Sequence, residues 1–401
     1  MTIWRRRILD RQLLMLVVLG CLAVNQFRIV LVIAGIILRR PGLADFGNYY
    51  LYARVGLHQG WNHLYDTAAQ QHEWVGLGGA AVVPWFPIIY LPPLAWVAVP
   101  FTFLPLPLAF AIWSALLVGC VLLTWRLVAP RHPAVARWTA LGAMLAIVPV
   151  PYALLLGQVL IMELAAVAVA WWLLAKERDV LAGVLLIALV FKPQIAILLP
   201  LVLLAIGRWK AAAAWLAGTS VVAALAFITT GPDGVHEYIR RLGDAASAAP
   251  QFFVATQLTI AGFLGRGPLT VALTAVLVML TLVAARRNRS DGPSLPVACA
   301  LVGSMLITPY LHSQDLATLL LAGGIALHGR LDQGRIWMLV AGYLLLLAIS
   351  YWGFGSLGSV LGAMLLIVEA TGLLLAALFP MSASALQGRS PFVAVPLDRS
   401  A

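Results

Sequence analysis

The sequence predicts an all-α polytopic membrane protein, and three properties support that prediction. Of the 401 residues, 62% are hydrophobic and 10% are charged, whereas ordinary soluble domains carry about 25% charged residues. The mean hydropathy is +0.97. Apolar runs near the length of a membrane helix, about 20 residues, recur from residue 13 to residue 379. These properties exclude a cytosolic enzyme, a secreted disulfide scaffold and a nucleic-acid binder, despite the net charge of +11.

The first apolar run follows three arginines, Arg5, Arg6 and Arg7, which together resemble the basic end of a signal peptide. The run is too long for a cleaved signal and lacks a clear cleavage site of small residues, so we predict an uncleaved first span. Ten segments are clear candidates for membrane spans: 13–38, 108–128, 138–154, 159–175, 211–229, 268–285, 295–309, 314–329, 336–352 and 357–379.

Residues 180–206 are apolar at both ends but contain Lys192-Pro193 in the middle. A single span would place the lysine near the bilayer centre, which costs about 2.5–3.5 kcal/mol. Two short helices that meet at Lys192-Pro193 would instead keep the basic residues at both ends on one side. Each arm, about 18 Å long, is too short for a full crossing. We therefore predict a hairpin with Lys192 at a recessed apex.

The segment 84–105 is apolar but carries six prolines. Internal prolines remove backbone hydrogen bonds and break helices. A span here would also turn every later basic loop outward, against the rule that basic loops stay cytoplasmic. We therefore predict a juxtamembrane or re-entrant element on the outer face.

With these choices, 18 of the 26 basic residues lie in cytoplasmic segments, and both termini are predicted inside. The topology then has about twelve membrane segments, counting the hairpin as two. We predict that residues 1–380 form one transmembrane domain, in which 39–107 is a large first extracytoplasmic loop with juxtamembrane elements. Residues 381–401 are polar and are predicted to be a disordered cytoplasmic tail. The expected location is the plasma (inner) membrane.

Polar residues concentrate in the segments predicted to face outward. They include Asp45 and Asp66 of the first loop, and three short turns: Gly157-Gln158, Lys192-Pro193-Gln194, and the one with His312 and Asp315. The alternative interpretation of Gly157-Gln158 is a tight corner alone, since glycine supplies a positive φ. Ionisable residues at membrane depth are functional candidates because they are costly to keep there. We therefore expect the site to face out.

Several of these residues have a second interpretation. Asp45, Asp66 and Asp315 could each cap a following helix, and for Asp66 the cap is the favoured interpretation. Lys192 could extend its stem to the interface or bind an anion in a cavity. Glu163 and Glu369 lie within predicted spans, so each should face a partner or a cavity, or be protonated.

The order of short motifs along the chain resembles the family-87 glycosyltransferases, which are polyprenol-phosphate-mannose-dependent mannosyltransferases of the GT-C class. The motifs span about residues 43–320 and are, in order, Asp45-Phe46 with Tyr49-Tyr50, Ala53-Arg54, Gly60, Leu64-Tyr65-Asp66, Tyr90-Leu91-Pro92-Pro93-Leu94, Pro100, Leu104-Pro105, Leu156-Gly157-Gln158, Arg178-Asp179-Val180-Leu181-Ala182-Gly183, Lys192-Pro193-Gln194, Thr308-Pro309-Tyr310 and Asp315-Leu316. The resemblance implies a GT-C-type helical bundle with a large first extracytoplasmic loop that carries juxtamembrane helices.

The resemblance implies that Asp45 is the catalytic base, and that Lys192, with Arg54 second, stabilises the charge of a leaving phosphate. The residues expected to bind substrate are Tyr49, Tyr50, Arg54, Asp66, Gln158, Lys192, Gln257, His312 and Asp315. The implied partners are a polyprenyl-phosphate sugar donor and a glycolipid or glycan acceptor in the lipid bilayer. No cofactor is expected, and a divalent metal is neither required nor excluded.

Two departures from the family pattern leave the acceptor and the donor sugar open. Leu160 stands where the family often has asparagine, and Thr256-Gln257-Leu258 replaces a familiar Asn-Gln-Ser. A transporter or flippase for a lipid-linked sugar is the alternative function, because Lys192, Glu163 and Glu369 are ionisable and lie within the membrane. A transporter would usually show internal repeats, and none is visible. A non-catalytic lipid-binding subunit is a third interpretation.

Overall fold

The computed structural model describes residues 3–39, 45–77, 89–130, 133–253, 258–265, 267–309, 311–352 and 356–379. Within these ranges the chain forms helices and turns, without a strand. The α-helices are α1 (Ile3–Arg39), α2 (Asp45–His58), α3 (Thr67–Gly76), α4 (Pro92–Ala98), α5 (Leu106–Val128), α6 (Ala134–Ala146), α7 (Pro149–Leu156), α8 (Leu160–Ala175), α9 (Asp179–Leu185), α10 (Leu199–Ala205), α11 (Trp209–Phe253), α12 (Ile260–Leu264), α13 (Pro268–Arg287), α14 (Ser294–Ile307), α15 (Ala317–Ala326), α16 (Gln333–Trp352) and α17 (Ser356–Leu378).

In the described part of the chain, six helices are long and apolar enough to cross a membrane. These lie in α1, α5, α11, α13, α16 and α17, and the pair α6 and α7, bent by 65° at its break, makes seven if it is one span. The chain is therefore a multi-pass, all-α membrane protein. Several predicted spans correspond to shorter helices, such as α8 and α14. The count of about twelve segments stays a prediction.

The hairpin at residues 180–206 is confirmed. One arm is α9 and a short 3₁₀ helix, Leu186–Val190; the other is a 3₁₀ helix, Pro193–Ala196, and α10. Arg208, just after α10, donates a hydrogen bond of 3.1 Å to the carboxylate of Asp179 at the start of α9. The two ends of the hairpin therefore meet, and Lys192 lies at the apex between the arms. The proline ring clashes with the backbone of the residue before it and disfavours the helical conformation there. Lys192, which precedes Pro193, accordingly has φ −147° and ψ 70°.

Helix α11 supports the hairpin along one side. Gly183 of α9 lies so close to it that a Cβ atom would be 2.2 Å from the carbonyl oxygen of Ala211. Only glycine permits this approach of the two backbones. Further along, α11 breaks at Gly231, which has φ 66° and ψ 176°, a conformation that residues with a side chain rarely adopt.

The segment predicted to be the first extracytoplasmic loop contains the helices α2, α3 and α4. Two tyrosines join them, because the hydroxyls of Tyr52 and Tyr65 both donate to the carbonyl oxygen of Tyr90, at 2.8 and 3.1 Å. The proline-rich segment 84–105 forms α4 and a 3₁₀ helix, Val99–Phe103, and neither is long enough to span a membrane. Its first residues, 84–88, lie outside the described ranges.

Candidate active site

The turn between α7 and α8 is the structural centre of the candidate site. Gly157 ends α7 in the left-handed conformation, with φ 69° and ψ 34°. A Cβ atom there would lie 2.8 Å from the Cβ of Phe46. The indole of Trp113 donates to the Gly157 carbonyl oxygen at 2.8 Å. The tight glycine turn expected from the sequence is therefore confirmed, and it fixes the position of the next residue, Gln158.

Gln158 connects the first residue of α2 to this turn. Its side-chain amide nitrogen donates to the carboxylate of Asp45. Its amide oxygen accepts a hydrogen bond of 3.3 Å from the hydroxyl of Tyr49, one turn further along α2. Gln158 and Tyr49 are buried, and Asp45 is partly accessible. The three side chains predicted to share a site therefore lie in contact.

The carboxyl of Asp45 is less acidic than an ordinary aspartate. Burial raises its pKa to about 6, although the Lys192 charge and the hydrogen bond from Gln158 oppose the increase, and the Asp315 charge adds to it. Burial acts in this direction because it disfavours the charged form. A carboxylate with a pKa near 6 is a stronger base than an exposed aspartate and is still ionised at neutral pH.

Lys192 and Asp315 form a buried ion pair. The Lys192 ammonium donates to Oδ1 of Asp315, and the two side chains are 7% and 0% exposed. The other oxygen of Asp315 accepts the backbone N–H of His312 at 3.0 Å. Asp315 is the third residue of the 3₁₀ helix Ser313–Leu316, and His312 is the N-cap of that helix. The Asp315 carboxylate therefore takes part in capping the helix start, as the alternative interpretation held, but from inside the helix, and it also binds the lysine. Burial lowers the pKa of the His312 imidazole; the Asp315 charge opposes the decrease, and the Lys192 charge adds to it.

Glu163 also reaches the hairpin apex. It lies in the first turn of α8, is fully buried, and accepts the backbone N–H of Lys192 at 2.6 Å. The sequence showed that this glutamate needed a partner or a cavity, but it did not show that the partner is the backbone of another candidate residue. The site thus holds one ammonium near three carboxyl groups, those of Asp45, Glu163 and Asp315.

Three predicted substrate-binding residues make other contacts. The Tyr50 hydroxyl donates to the carbonyl oxygen of Leu104 at 2.9 Å. Arg54 pairs with the buried Glu73 at 2.9 Å. Asp66 is the N-cap of α3 and accepts from the backbone of Ala68 at 2.8 Å. These contacts explain the three residues structurally, so their binding roles stay predictions.

The Arg54 contact belongs to a polar cluster between α2 and α3. Burial raises the pKa of Glu73, but hydrogen bonds from Gln59, Arg54 and His58 outweigh it, so the pKa lies below its usual value. The arginine charge is therefore already balanced by an ionised carboxylate.

Gln257, the remaining predicted binding residue, lies outside the described residues.

An apolar cavity of about 470 Å³ lies beside the hairpin apex. Its walls come from α4, the hairpin and α11, and they include Val190 and Pro193 on either side of the Phe191-Lys192 step. Tyr65 and Tyr238 line it as well, and Thr230 and Trp215 lie on the α11 wall. Before its break at Gly231, α11 lines the cavity from Trp215 to Thr230. At a rise of about 1.5 Å per residue, this stretch of helix is roughly 20 Å long.

In the described ranges, no three His, Cys, Asp or Glu side chains are grouped so that they could hold a metal ion.

Comparison with curated proteins and with solved structures finds no match. The model of glycosyltransferase family 87 matches residues 88–309. That match includes the α7–α8 turn, Glu163 and the hairpin with Lys192, while Asp45 and Asp315 lie on either side of it. Since the match covers more than half of the 401 residues, the chain belongs to glycosyltransferase family 87.

Proposed function

We propose that this glycosyltransferase moves a hexose, mannose by preference, from a polyprenyl-phosphate donor to a glycolipid or glycan acceptor on the extracytoplasmic side of the plasma membrane. The observation that carries the proposal is that one site holds two groups of opposite charge: a carboxylate held by Gln158, and an ammonium at the apex of the hairpin. They are close enough for the Lys192 charge to lower the pKa of Asp45 against the effect of burial. The carboxylate can remove a proton from the acceptor hydroxyl, and the ammonium can pair with the donor phosphate.

Asp45 is the proposed general base. It removes a proton from the acceptor hydroxyl as the oxygen attacks the anomeric carbon from the face opposite the phosphate, so the configuration is inverted. The bond between sugar and phosphate breaks, and its electron pair leaves with the phosphate. A phosphate leaves without much acid assistance, so a single carboxylate suffices where a glycosidase uses two. Gln158 keeps the carboxylate oriented by donating to one of its oxygens.

Lys192 is the proposed partner of the donor phosphate. A fixed positive charge stabilises the negative charge that grows on the leaving group, and it does so more strongly where water is excluded. The Lys192 side chain is only 7% exposed. Its ammonium pairs with Asp315, so an arriving phosphate shares or replaces that contact. Asp315 keeps a partner in either case, because its second oxygen accepts the His312 N–H.

The apolar cavity supports a donor that carries a lipid. Val190 and Pro193, which flank the Phe191-Lys192 step, line it, and its other wall is α11, a helix long and apolar enough to cross a membrane. Its lining is almost entirely hydrocarbon, which suits an isoprenoid chain, since apolar surface is favourably removed from water. A water-soluble nucleotide-sugar would leave this cavity unused.

Purified protein in proteoliposomes is expected to transfer label from polyprenyl-phosphate [³H]mannose to an added membrane-lipid extract. Nucleotide-linked mannose should give no product, because the proposal requires a lipid-linked donor. The same vesicles, loaded with polyprenyl-phosphate mannose on one side, report movement of the intact donor across the bilayer. Movement without transfer would contradict the proposal and favour the alternative, a flippase.

The pH dependence of transfer follows from the raised pKa of Asp45. The base works only when ionised, so kcat/KM is expected to be constant above about pH 7 and to halve near pH 6, the pKa of the carboxyl. Below that point it falls about tenfold per pH unit. An unperturbed aspartate would show the same fall near pH 4. A profile flat down to pH 5 in folded protein would exclude Asp45 as a base in this environment.

A further inference from the structure

Glu163 is a buried carboxyl group that the proposed reaction does not use. Its Oε1 atom accepts the backbone N–H of Lys192 at 2.6 Å. Its Oε2 atom is buried, and no hydrogen-bond partner for it occurs among the residues that the structure describes. Glutamate is costly within an apolar helix and is seldom kept there without a role.

The backbone at Lys192 needs an acceptor from outside its own helices. Lys192 lies between two short 3₁₀ helices, with φ −147° and ψ 70°. Buried backbone N–H groups are almost always hydrogen-bonded, and here the acceptor comes from a different helix, α8. The next residue, Pro193, has no N–H to offer. The Glu163 contact therefore ties the backbone of the apex to the bundle.

The same turn of α8 also supports the base. Gln158 donates to Asp45 and begins the turn that leads into α8. Backbone hydrogen bonds link this turn to Glu163: Ile161 N–H to the Gln158 carbonyl oxygen at 3.3 Å, and Glu163 N–H to the Val159 carbonyl oxygen at 3.2 Å. One short segment, residues 158–163, thus holds both Asp45 of α2 and Lys192 of the hairpin.

We propose that Glu163 is a positioning residue, whose hydrogen bond to the Lys192 backbone sets the distance between the donor's phosphate site and the base. The proposal rests on the function proposed above. It assigns the effect to an acceptor oxygen and not to a charge on Glu163, because an amide oxygen at the same place would accept the same N–H. Glu163→Gln keeps that acceptor, and Glu163→Met removes it while keeping an unbranched side chain of similar length.

Hydrogen exchange measures the contact directly and needs no substrate. In detergent-purified protein, mass spectrometry follows the exchange of the Lys192 amide in a peptide that contains both Lys192 and Pro193. Proline has no N–H, so Pro193 adds no signal of its own. Exchange is expected to be slow in wild type and Glu163→Gln and about tenfold faster in Glu163→Met. Equal protection in all three proteins would overturn the proposal. Glu163→Leu repeats the comparison if the methionine variant does not fold.

A double-mutant cycle then separates positioning from a general structural effect. With Lys192 present, Glu163→Met should lower transfer about 10²-fold, since a misplacement of about 1 Å has that effect on a catalytic group. In a Lys192→Met/Asp315→Asn background the same change should cost less than about threefold, because the group it positions is gone. Equal losses in both backgrounds would overturn the proposal.

Two further comparisons complete the test. Glu163→Gln should transfer at close to the wild-type rate; loss of transfer with Lys192 still protected would show that the charge matters, against the proposal. Glu369→Met, in α17, is the matched control for removing a glutamate from an apolar helix, and it should leave transfer unchanged. A wild type inactive with every polyprenyl-phosphate sugar would count against the proposed function, while the exchange result would still decide the hydrogen bond.

Discussion

Asp45→Asn is expected to lower sugar transfer by about 10²- to 10⁴-fold, the usual contribution of a general base. Asparagine is close to aspartate in size, and its amide oxygen can accept the hydrogen bond that Gln158 donates to Asp45. The fold should therefore persist while the base is lost. Initial rates with polyprenyl-phosphate mannose, at matched amounts of folded protein, measure the effect.

Asp244→Asn is the control for the loss of an acidic residue. Asp244 lies on α11 beyond Gly231, is 58% exposed, and contacts Arg241 at 3.5 Å, away from the candidate site. Its substitution should leave the rate unchanged. If folded Asp45→Asn protein transferred sugar at the wild-type rate, Asp45 would not be the base, and Asp315 and Asp66 would be examined next.

Removing Lys192 should affect folding and catalysis together, and a second substitution separates the two effects. Lys192→Met leaves the fully buried Asp315 without its ion partner, which typically costs about 3–5 kcal/mol of stability. Adding Asp315→Asn removes that uncompensated charge, and the asparagine oxygen can still accept the His312 N–H. We expect the double variant to recover much of the thermal stability while transfer remains about 10²- to 10³-fold below wild type.

Asp315→Asn alone is the reference for this experiment, because it keeps the ammonium. Its transfer rate should exceed that of the double variant, since Lys192 can still bind phosphate. Thermal unfolding followed by fluorescence-detected size exclusion reports stability, and initial rates report catalysis. A double variant that regained both stability and transfer would show that Lys192 serves only as a structural partner of Asp315.

Features that depend on short stretches of sequence were predictable. The hairpin at residues 180–206 followed from one Lys-Pro step in an apolar segment, because the cost of a central charge and the effect of proline are local. The turn at Gly157 and the cap at Asp66 were predictable for the same reason. The spans were predicted less completely, since breaks such as the 65° bend between α6 and α7 depend on how the helices pack.

The sequence by itself determined that the chain is a multi-pass helical membrane protein, where its hairpin turns, and which polar residues are candidates for a site, because composition and local propensity decide these properties. Only the tertiary structure decided which candidates meet. Gln158 reaches Asp45 across 113 positions, and Lys192 reaches Asp315 across 123. It also placed Tyr50, Arg54 and Asp66 in other contacts, and it brought Glu163 to the hairpin apex. Such pairings depend on how whole helices pack against one another, and this packing cannot be read from the spacing of residues along the chain.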